Sequence, residues 1–327
     1  MKEVLLEIKN LSVFYEIRDA KSLLFNRKRK MRAVREVSFK LYKGETLGIV
    51  GESGCGKSTL AKAILGLNQD VSGNIVWLGK NIESQSKKEW KSTRKDIQMI
   101  FQDPLASLNP RMSIGDIISE PLKIHFPNLS KSEVKAKVEQ IMQKVGLLPN
   151  LINRYPHEFS GGQCQRIGIA RALVLEPKLV VCDEPVSALD VSIQAQVVNL
   201  LKDLQNQTQL SLIFIAHDLS IVKHISDRVL VMYLGNLVEI ANYEQIYNEA
   251  KHPYTKALMS AVPIPDPKIE KTKQIQLLEG DLPSPLNPPS GCVFRTRCPL
   301  ADETCSKHIP EIKGANDHFY ACLKVEA

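Results

Sequence analysis

The fold is decided by residues 44–60, which read GETLGIVGESGCGKSTL. An apolar strand from Leu47 to Val50 leads into a glycine-rich turn, Gly51 to Gly56, and a helix is predicted from Thr59 to Leu67. This is the phosphate-binding pattern G-x-x-x-x-G-K-S in its strand–loop–helix setting. Glycines let successive backbone N–H groups turn toward phosphate oxygens, and the helix N-terminus adds partial positive charge. The pattern predicts an α/β nucleotide-binding protein.

Two side chains of this loop carry charge or a metal. Lys57 is predicted to neutralise the β- and γ-phosphates, and the Ser58 hydroxyl is predicted to ligate Mg²⁺. The alternative is a chance glycine turn, and the lysine, the hydroxyl and the flanking elements together argue against it. The residues predicted to contact nucleotide are Gly51, Glu52, Ser53, Gly54, Cys55, Gly56, Lys57, Ser58 and Thr59.

Length and composition fit one large domain plus a smaller one, since the chain has 327 residues and 43% hydrophobic content. It contains neither an apolar run of about 18 residues nor a signal-peptide pattern, so we expect no membrane span and no secretion.

The net charge is +7, and residues 1–43 account for it with 12 Lys/Arg against 5 Asp/Glu. The basic segment 21–35 could contact nucleic acid or anionic lipid. No aromatic platform for base stacking accompanies it, which favours a solvated loop between strands.

An acidic pair follows a second apolar strand. The strand from Lys178 to Cys182 runs into Asp183 and Glu184. Asp183 is predicted to hold Mg²⁺, and Glu184 to polarise a water molecule for attack on the γ-phosphate. Such a pair is common by chance, but it is informative when a phosphate-binding loop precedes it.

Three further residues lie at the ends of predicted strands, and each has a structural alternative. Tyr15 could stack on an adenine ring, although an aromatic at a strand end usually packs. Gln102 could reach Mg²⁺ or the attacking water through its amide. His217 could contact the γ-phosphate, although a lone histidine is more often structural.

Residues 105–160 predict a helical insertion between sheet strands. Ser130 and Glu133 form a capping box at the start of one helix, which Gly146 ends. The insertion closes on the stretch 159–163, Phe-Ser-Gly-Gly-Gln, before a helix predicted from Cys164 to Leu175. Ser-Gly-Gly at a helix start is a second anion site. Because the chain already has one phosphate-binding loop, we expect this second site to serve a nucleotide held by another chain.

Together, these motifs resemble the complete set of an ABC transporter ATPase subunit, in the family's order across residues 1 to about 245. Phe159 stands where that signature usually has leucine. The resemblance implies an α/β P-loop ATPase domain over residues 1–250, with a mixed sheet core, an antiparallel subdomain and a helical subdomain at about 103–175. It also implies ATP and Mg²⁺ as cofactors.

The roles implied by the resemblance extend the chemistry above. Tyr15 would stack on adenine, Ser58, Gln102 and Asp183 would lie at Mg²⁺, and Glu184 would be the catalytic base. Gln102 would be the coupling residue, and His217 would sense hydrolysis. The signature presented to the partner's ATP would be Ser160, Gly161, Gly162 and Gln163.

Three other stretches, 101–111, 252–258 and 291–299, are similar to the ATPases of bacterial oligopeptide/dipeptide importers, in particular to the F-type subunit. That resemblance implies uptake of short peptides, with a second and different ATPase subunit, two membrane permeases and an external solute-binding protein. It places the chain peripherally on the cytoplasmic face of the membrane. Nickel importers share these motifs, so an importer of nickel, a metal chelate or another solute is the alternative.

Two readings outside transport are less favoured. A nucleic-acid-associated ABC ATPase usually has two cassettes or a long coiled coil, whereas this chain has one cassette and no heptad run, so no nucleic-acid partner is expected. A metal-binding regulatory protein would not need the intact catalytic set.

The C-terminal part, 251–327, is predicted to be an extension. Residues 246–290 are proline-rich and predict an extended, partly ordered connection.

The seven cysteines form two sets. Cys55, Cys164 and Cys182 are interpreted as small packing residues. Spacing alone leaves a metal site and four free thiols open for Cys292, Cys298, Cys305 and Cys322, with His308 and His318 as alternative ligands or surface residues. The resemblance implies a [4Fe–4S] cluster on the four cysteines.

Overall fold

The computed structural model describes residues 2–18, 28–263 and 276–326, together with 266, 268, 270 and 273. The described residues form two compact units. The first contains 2–5, 41–46 and 82–216; the second contains the described residues of 6–40, 47–81 and 217–326.

The chain alternates strands and helices as an α/β protein does. The strands are β1 (Val4–Arg18), β2 (Lys28–Tyr42), β3 (Thr46–Val50), β4 (Val71–Trp77), β5 (Lys80–Asn81), β6 (Ile97–Ile100), β7 (Leu179–Asp183), β8 (Ser211–Ile215), β9 (Arg228–Tyr233), β10 (Asn236–Asn242), β11 (Lys313–Ala315) and β12 (His318–Tyr320). The helices are α1 (Lys57–Ile64), α2 (Lys87–Asp96), α3 (Ile114–His125), α4 (Lys131–Lys144), α5 (Gly161–Leu173), α6 (Val191–Thr208), α7 (Leu219–Ile225), α8 (Tyr243–Asn248), α9 (Pro253–Ser260) and α10 (Glu303–Lys307).

The second unit combines an antiparallel layer with a mixed one. Its four-stranded sheet has the order β2-β1-β4-β5, and β4 is antiparallel to both β1 and β5. Its other strands run in the order β11-β12-β10-β9-β3. Strands β3 and β9 are parallel, with Val50 opposite Val231, whereas β9 and β10 form an antiparallel hairpin. Strand β3 is wholly buried and delivers the chain directly into the glycine-rich loop.

The first unit carries the parallel strands β6-β7-β8 and the helical insertion. Strands β7 and β8 are wholly buried, as expected for parallel strands covered on both faces. The insertion supplies α3 and α4, and the predicted capping box at Ser130 and Glu133 is present. The predicted α/β fold class, with mixed, antiparallel and helical parts, is therefore confirmed. The domain boundary near residue 250 and the limits of the helical subdomain stay predictions.

Several local predictions were wrong. Helices α1 and α5 begin at Lys57 and Gly161 rather than at Thr59 and Cys164, because Gly56 and Ser160 already occupy the N-cap positions. The connection 246–290 was predicted to be extended, yet α9 lies within it. Its start is fixed by the imidazole of His252, which accepts a hydrogen bond from the Tyr254 N–H.

Only part of the basic segment 21–35 belongs to the described residues. Residues 21–27 lie outside them. Residues 28–35 belong to β2 and are not the loop that the charge run suggested. There, Lys30 pairs with Asp70 at 2.8 Å, and Arg32 pairs with Glu36 at 2.6 Å.

Candidate functional site

The glycine-rich loop of the second unit has the backbone that phosphate binding requires. Gly51, Gly54 and Gly56 have φ values of +149°, +76° and +105°, a region that side chains disfavour. A Cβ at Gly51 would collide with the carbonyl oxygen of Met232. Gly56 then caps the eight-residue helix α1, so the loop ends on a helix N-terminus as predicted.

Lys57 folds back over this loop. Its buried ammonium group donates to the carbonyl oxygens of Gly51 at 2.8 Å and Glu52 at 3.1 Å. Burial raises the pKa of the neighbouring Cys55 thiol, which keeps that side chain neutral. The loop therefore places a positive charge inside its own turn and adds no thiolate beside it.

The predicted acidic pair closes a strand in the first unit. Asp183 is the last residue of β7, and Glu184 follows it; their exposed fractions are 5% and 6%. Glu184 has φ +50°, an unfavourable value for a residue with a side chain, and such strain is concentrated at functional sites. Its N–H donates to the carbonyl oxygen of Ile215 at 3.0 Å, which fixes the turn.

Gln102 is brought to this pair. Its side-chain amide donates to a carboxylate oxygen of Glu184 at 2.6 Å. The two residues are 82 positions apart in sequence and meet because each follows one of two neighbouring parallel strands, β6 and β7. The amide thus holds the carboxylate that was predicted to act as the base, while its role at Mg²⁺ stays a prediction.

The signature residues begin α5 and face outward. Ser160 caps the helix by accepting from the Gln163 N–H at 3.3 Å, and the Gln163 side chain accepts from the Ser160 N–H at 3.0 Å. Ser160, Gly161 and Gln163 are exposed. A Cβ at Gly162 would lie 2.6 Å from Cγ2 of Ile193, so glycine permits the close approach of α6.

The other predicted nucleotide contacts are accessible. Tyr15 lies within β1, not past its end; its ring is 36% exposed, and its hydroxyl accepts from the Asn68 amide at 2.8 Å. His217 is exposed and follows β8 by two residues. Lys57 and Ser58 belong to the second unit, as do Tyr15 and His217. Gln102, Asp183, Glu184 and the signature belong to the first.

The four C-terminal cysteines all lie in the second unit and influence one another. Burial, helped by Cys305, Cys298 and Cys322, raises the pKa of the Cys292 thiol to about 11. Burial likewise raises the pKa of Cys298. Among the described residues, however, no three His, Cys, Asp or Glu side chains are arranged to hold a metal ion. The residues as placed do not fit a cluster.

The alternative ligand His318 is not a surface residue. Its Nε2 lies 2.6 Å from a carboxylate oxygen of Glu239, and both side chains are buried. The other oxygen of Glu239 accepts from the His252 N–H at 2.9 Å. Sequence reasoning missed Glu239 because it stands in an apolar hairpin strand with no motif around it.

Sequence reasoning also missed two side chains at the phosphate-binding loop. Arg297 contacts the carboxylate of Glu52, and the hydroxyl of Tyr254 accepts from the Glu52 N–H. They lie in the stretches 252–258 and 291–299, which resemble the importer ATPases but contain no nucleotide-binding motif. Nothing in the spacing of Glu52 and Arg297, 245 positions apart, indicates that they meet.

Comparisons with known proteins agree with this geometry. A family model described as ABC transporter matches residues 34–187, and one described as oligopeptide/dipeptide transporter, C-terminal region, matches residues 238–305. The oligopeptide transport ATP-binding protein OppF of Haemophilus influenzae is 71% identical over 99% of this chain and 98% of the relative. OppF of Escherichia coli is 65% identical over 99% of this chain and 97% of the relative.

Solved structures carry the same fold. The ATP-binding cassette MJ0796, in a dimeric post-hydrolysis state bound to ADP and phosphate, is 24% identical with a TM-score of 0.65, covering 73% of this chain and 99% of that one. CbiO1 from Clostridium perfringens, part of the ABC transporter complex cbiONQ, is 27% identical with a TM-score of 0.64, covering 76% and 92%. Among the described residues, no helix combines the length and apolar character needed to cross a membrane. This chain therefore belongs to the ABC transporter family, as an ATP-binding protein with the C-terminal region of the oligopeptide/dipeptide transporters.

Proposed function

We propose that this chain hydrolyses ATP to drive the import of short peptides. The observation that carries the proposal is the strained, buried Glu184, whose carboxylate is held by Gln102 at 2.6 Å at the end of β7. A fixed carboxylate beside Asp183 is what activation of a water near a Mg²⁺-bound phosphate requires. Identity of 71% to a relative named for oligopeptide transport, across 99% of the chain, supports the substrate class.

Replacing Glu184 with glutamine tests the catalytic part. We expect ATP binding to persist and phosphate release to fall at least about 100-fold, since a general base typically contributes that much. Glu176→Gln is the matched control, because Glu176 also has a left-handed backbone, with φ +52°, but is exposed. Normal phosphate release by Glu184→Gln would refute the assignment.

Hydrolysis is proposed to occur between two chains. The glycine-rich loop with Lys57 would hold ATP, and the exposed signature of a second, homologous ATPase subunit would cover its phosphates. The exposure of Ser160, Gly161 and Gln163 at the start of α5 supports this, because an exposed helix N-terminus presents its partial positive charge to the phosphates of a nucleotide held by another chain. Closure would move the helical insertion against two permeases, with the chain peripheral on the cytoplasmic face of the membrane.

The substrate class is tested in the assembled importer with its solute-binding protein. We expect short peptides to stimulate ATP hydrolysis and to accumulate inside proteoliposomes. A nickel chelate serves as the alternative cargo. Stimulation by the chelate and not by peptides would overturn the peptide assignment while leaving the ATPase assignment intact.

The family resemblance also leads us to propose a [4Fe–4S] cluster on the four C-terminal cysteines, which would have to move from the positions described above to hold it. The raised pKa values of Cys292 and Cys298 mean that these two thiols are protonated until a cation displaces their protons. Iron and acid-labile sulfide analysis of anaerobically purified protein, with Cys298→Ser as the comparison, tests this. Absence of both iron and sulfide from protein purified without oxygen would remove the proposal.

A further inference from the structure

The second residue of the glycine-rich loop is held from the C-terminal part of the chain. Nη1 of Arg297 donates to both carboxylate oxygens of Glu52, at 2.9 and 2.8 Å. The Glu52 N–H donates to the hydroxyl of Tyr254 at 2.9 Å. With Lys57 on its carbonyl oxygen, Glu52 is fixed through its side chain, its N–H and its C=O.

An aromatic cluster fixes the two residues that hold Glu52. The Tyr254 ring is fully buried and lies edge-on to Tyr233, with centroids 4.7 Å apart. Phe294 packs on Tyr233 at 5.1 Å and on Tyr254 at 5.4 Å. The Arg297 N–H donates to the Phe294 carbonyl oxygen at 3.0 Å, so the turn that carries the arginine is anchored in the same cluster.

The ion pair is partly buried. The Arg297 side chain is 10% exposed and that of Glu52 is 25% exposed. Burial raises the pKa of the Tyr254 phenol, so this hydroxyl stays neutral. Charge-assisted hydrogen bonds of this kind are stronger than exposed ion pairs, and the contact therefore fixes the loop more firmly than a surface pair would.

The charge of Glu52 makes this contact functionally relevant. A carboxylate in a phosphate-binding loop repels the anionic phosphates that the loop surrounds. Arg297 neutralises that carboxylate and directs it toward the C-terminal part of the chain. The Tyr254 hydroxyl fixes the Glu52 N–H, one of the backbone groups of the turn.

We propose that Arg297 and Tyr254 are positioning residues for nucleotide binding, which makes the C-terminal region part of the nucleotide-binding apparatus. They act on the nucleotide through Glu52, by cancelling its charge and by fixing the first residues of the loop. This inference rests on the proposed nucleotide site at Gly51 to Thr59.

The test is a double-mutant cycle on the full chain, with ATP dissociation constants and ATPase kinetics as readouts. We expect Arg297→Gln to weaken ATP binding and raise KM about tenfold, in line with the loss of one charge-assisted contact and the exposure of a carboxylate, with kcat changed less than about twofold. Glu52→Gln alone should have a small effect, because it removes the repulsion together with the pair. The Arg297→Gln/Glu52→Gln double variant should therefore resemble Glu52→Gln rather than sum the two losses.

Conservative variants and controls separate positioning from folding. Arg297→Lys should recover most of the affinity, and Tyr254→Phe should weaken binding several-fold while retaining the ring packing. Arg295→Gln is the matched control, since Arg295 donates to the Ser290 carbonyl oxygen and not to the loop. Melting temperatures are measured for every variant.

The outcomes distinguish this inference from the nucleotide site itself. One outcome is that Lys57→Ala abolishes ATP binding while the ATP dissociation constant of Arg297→Gln stays within about twofold of the parent, a change too small for a lost charged contact. In that case the role of Arg297 is refuted and the nucleotide site is retained. A loss of ATP affinity as large in the Arg297→Gln/Glu52→Gln double variant as in Arg297→Gln alone would also refute that role. If Lys57→Ala binds ATP normally, the site assignment fails first.

Discussion

Replacing Glu239 with glutamine tests how the C-terminal region is held to β10. The Glu239 side chain is fully buried and accepts three hydrogen bonds: from the Lys251 N–H at 2.7 Å, from the His252 N–H at 2.9 Å and, at 2.6 Å, from Nε2 of His318. One carboxylate oxygen serves Lys251 and His318, and the other serves His252.

The magnitude follows from that arrangement. Glutamine keeps only one acceptor oxygen, so its NH₂ group must face at least one N–H donor. The variant loses one charge-assisted bond and reduces the others to neutral ones, which together cost about 3 kcal/mol. Because β12 pairs with β10 next to this carboxylate, with Tyr320 opposite Glu239, the loss should appear as local opening of β12.

Hydrogen exchange measured by mass spectrometry is the assay. A cost of about 3 kcal/mol corresponds to about 100-fold faster exchange for the peptide that covers residues 318–322. Glu303→Gln is the matched control: its side chain is 80% exposed and pairs with Lys307, so the change should be negligible. Exchange in β12 unchanged within about threefold, under 1 kcal/mol, would show that Glu239 does not hold β12 in place.

Three further predictions concern the loop, the extension and the base site. Gly51→Ala should abolish ATP binding, because the added Cβ would collide with the Met232 carbonyl oxygen. At Gly54, no atom of the described residues lies within 4 Å of an added Cβ. Gly54→Ala should therefore cost only about 1–2 kcal/mol of backbone strain, which urea unfolding measures. Burial lowers the pKa of His252 to about 4 against an ordinary 6.5, with Glu239 opposing the shift, so the unfolded chain binds the proton first. The free energy of unfolding should therefore decline by up to about 3 kcal/mol as the pH falls from 6.5 toward 4. His252→Asn keeps a capping acceptor and should flatten this pH profile. The same slope in the variant and the parent would show that His252 does not cause the decline. Tyr15→Ala should weaken ATP binding about tenfold or more, as loss of base stacking does, while Tyr15→Phe retains it; equal affinities for the two variants would exclude stacking.

The parts of the fold that sequence predicts best have strong local rules. The glycine-rich loop, the capping box at Ser130 and the β9–β10 hairpin each depend on residues within a few positions of one another. Local signals also failed in two identifiable ways. Helix α3 contains Pro121, which interrupts the helical pattern, and α2 reads KKEWKSTRKD, which offers no apolar stripe. Helix α3 lies inside the predicted helical insertion, but the sequence did not predict its bounds, and it did not predict α2 at all, although Ser113 and Ser86 cap the two helices.

The candidate site shows the same division. The acidic pair and Lys57 are identified by motif, whereas the Gln102–Glu184 contact depends on β6 and β7 being neighbours in the sheet. Contacts over long sequence separations, such as Glu52 with Arg297, have no periodicity or spacing to reveal them. Sequence therefore predicts which chemistry is present, and the tertiary structure decides which side chains support it.

We propose that ATP is hydrolysed in a site that a second polypeptide completes. Specific ATPase activity is measured across a dilution series of the purified chain, with and without a homologous ATPase subunit and membrane permeases. We predict activity close to zero for the dilute chain alone, rising with concentration and with added partner. A constant, full specific activity down to dilutions at which sedimentation shows only monomer would mean that one chain hydrolyses ATP without a second polypeptide.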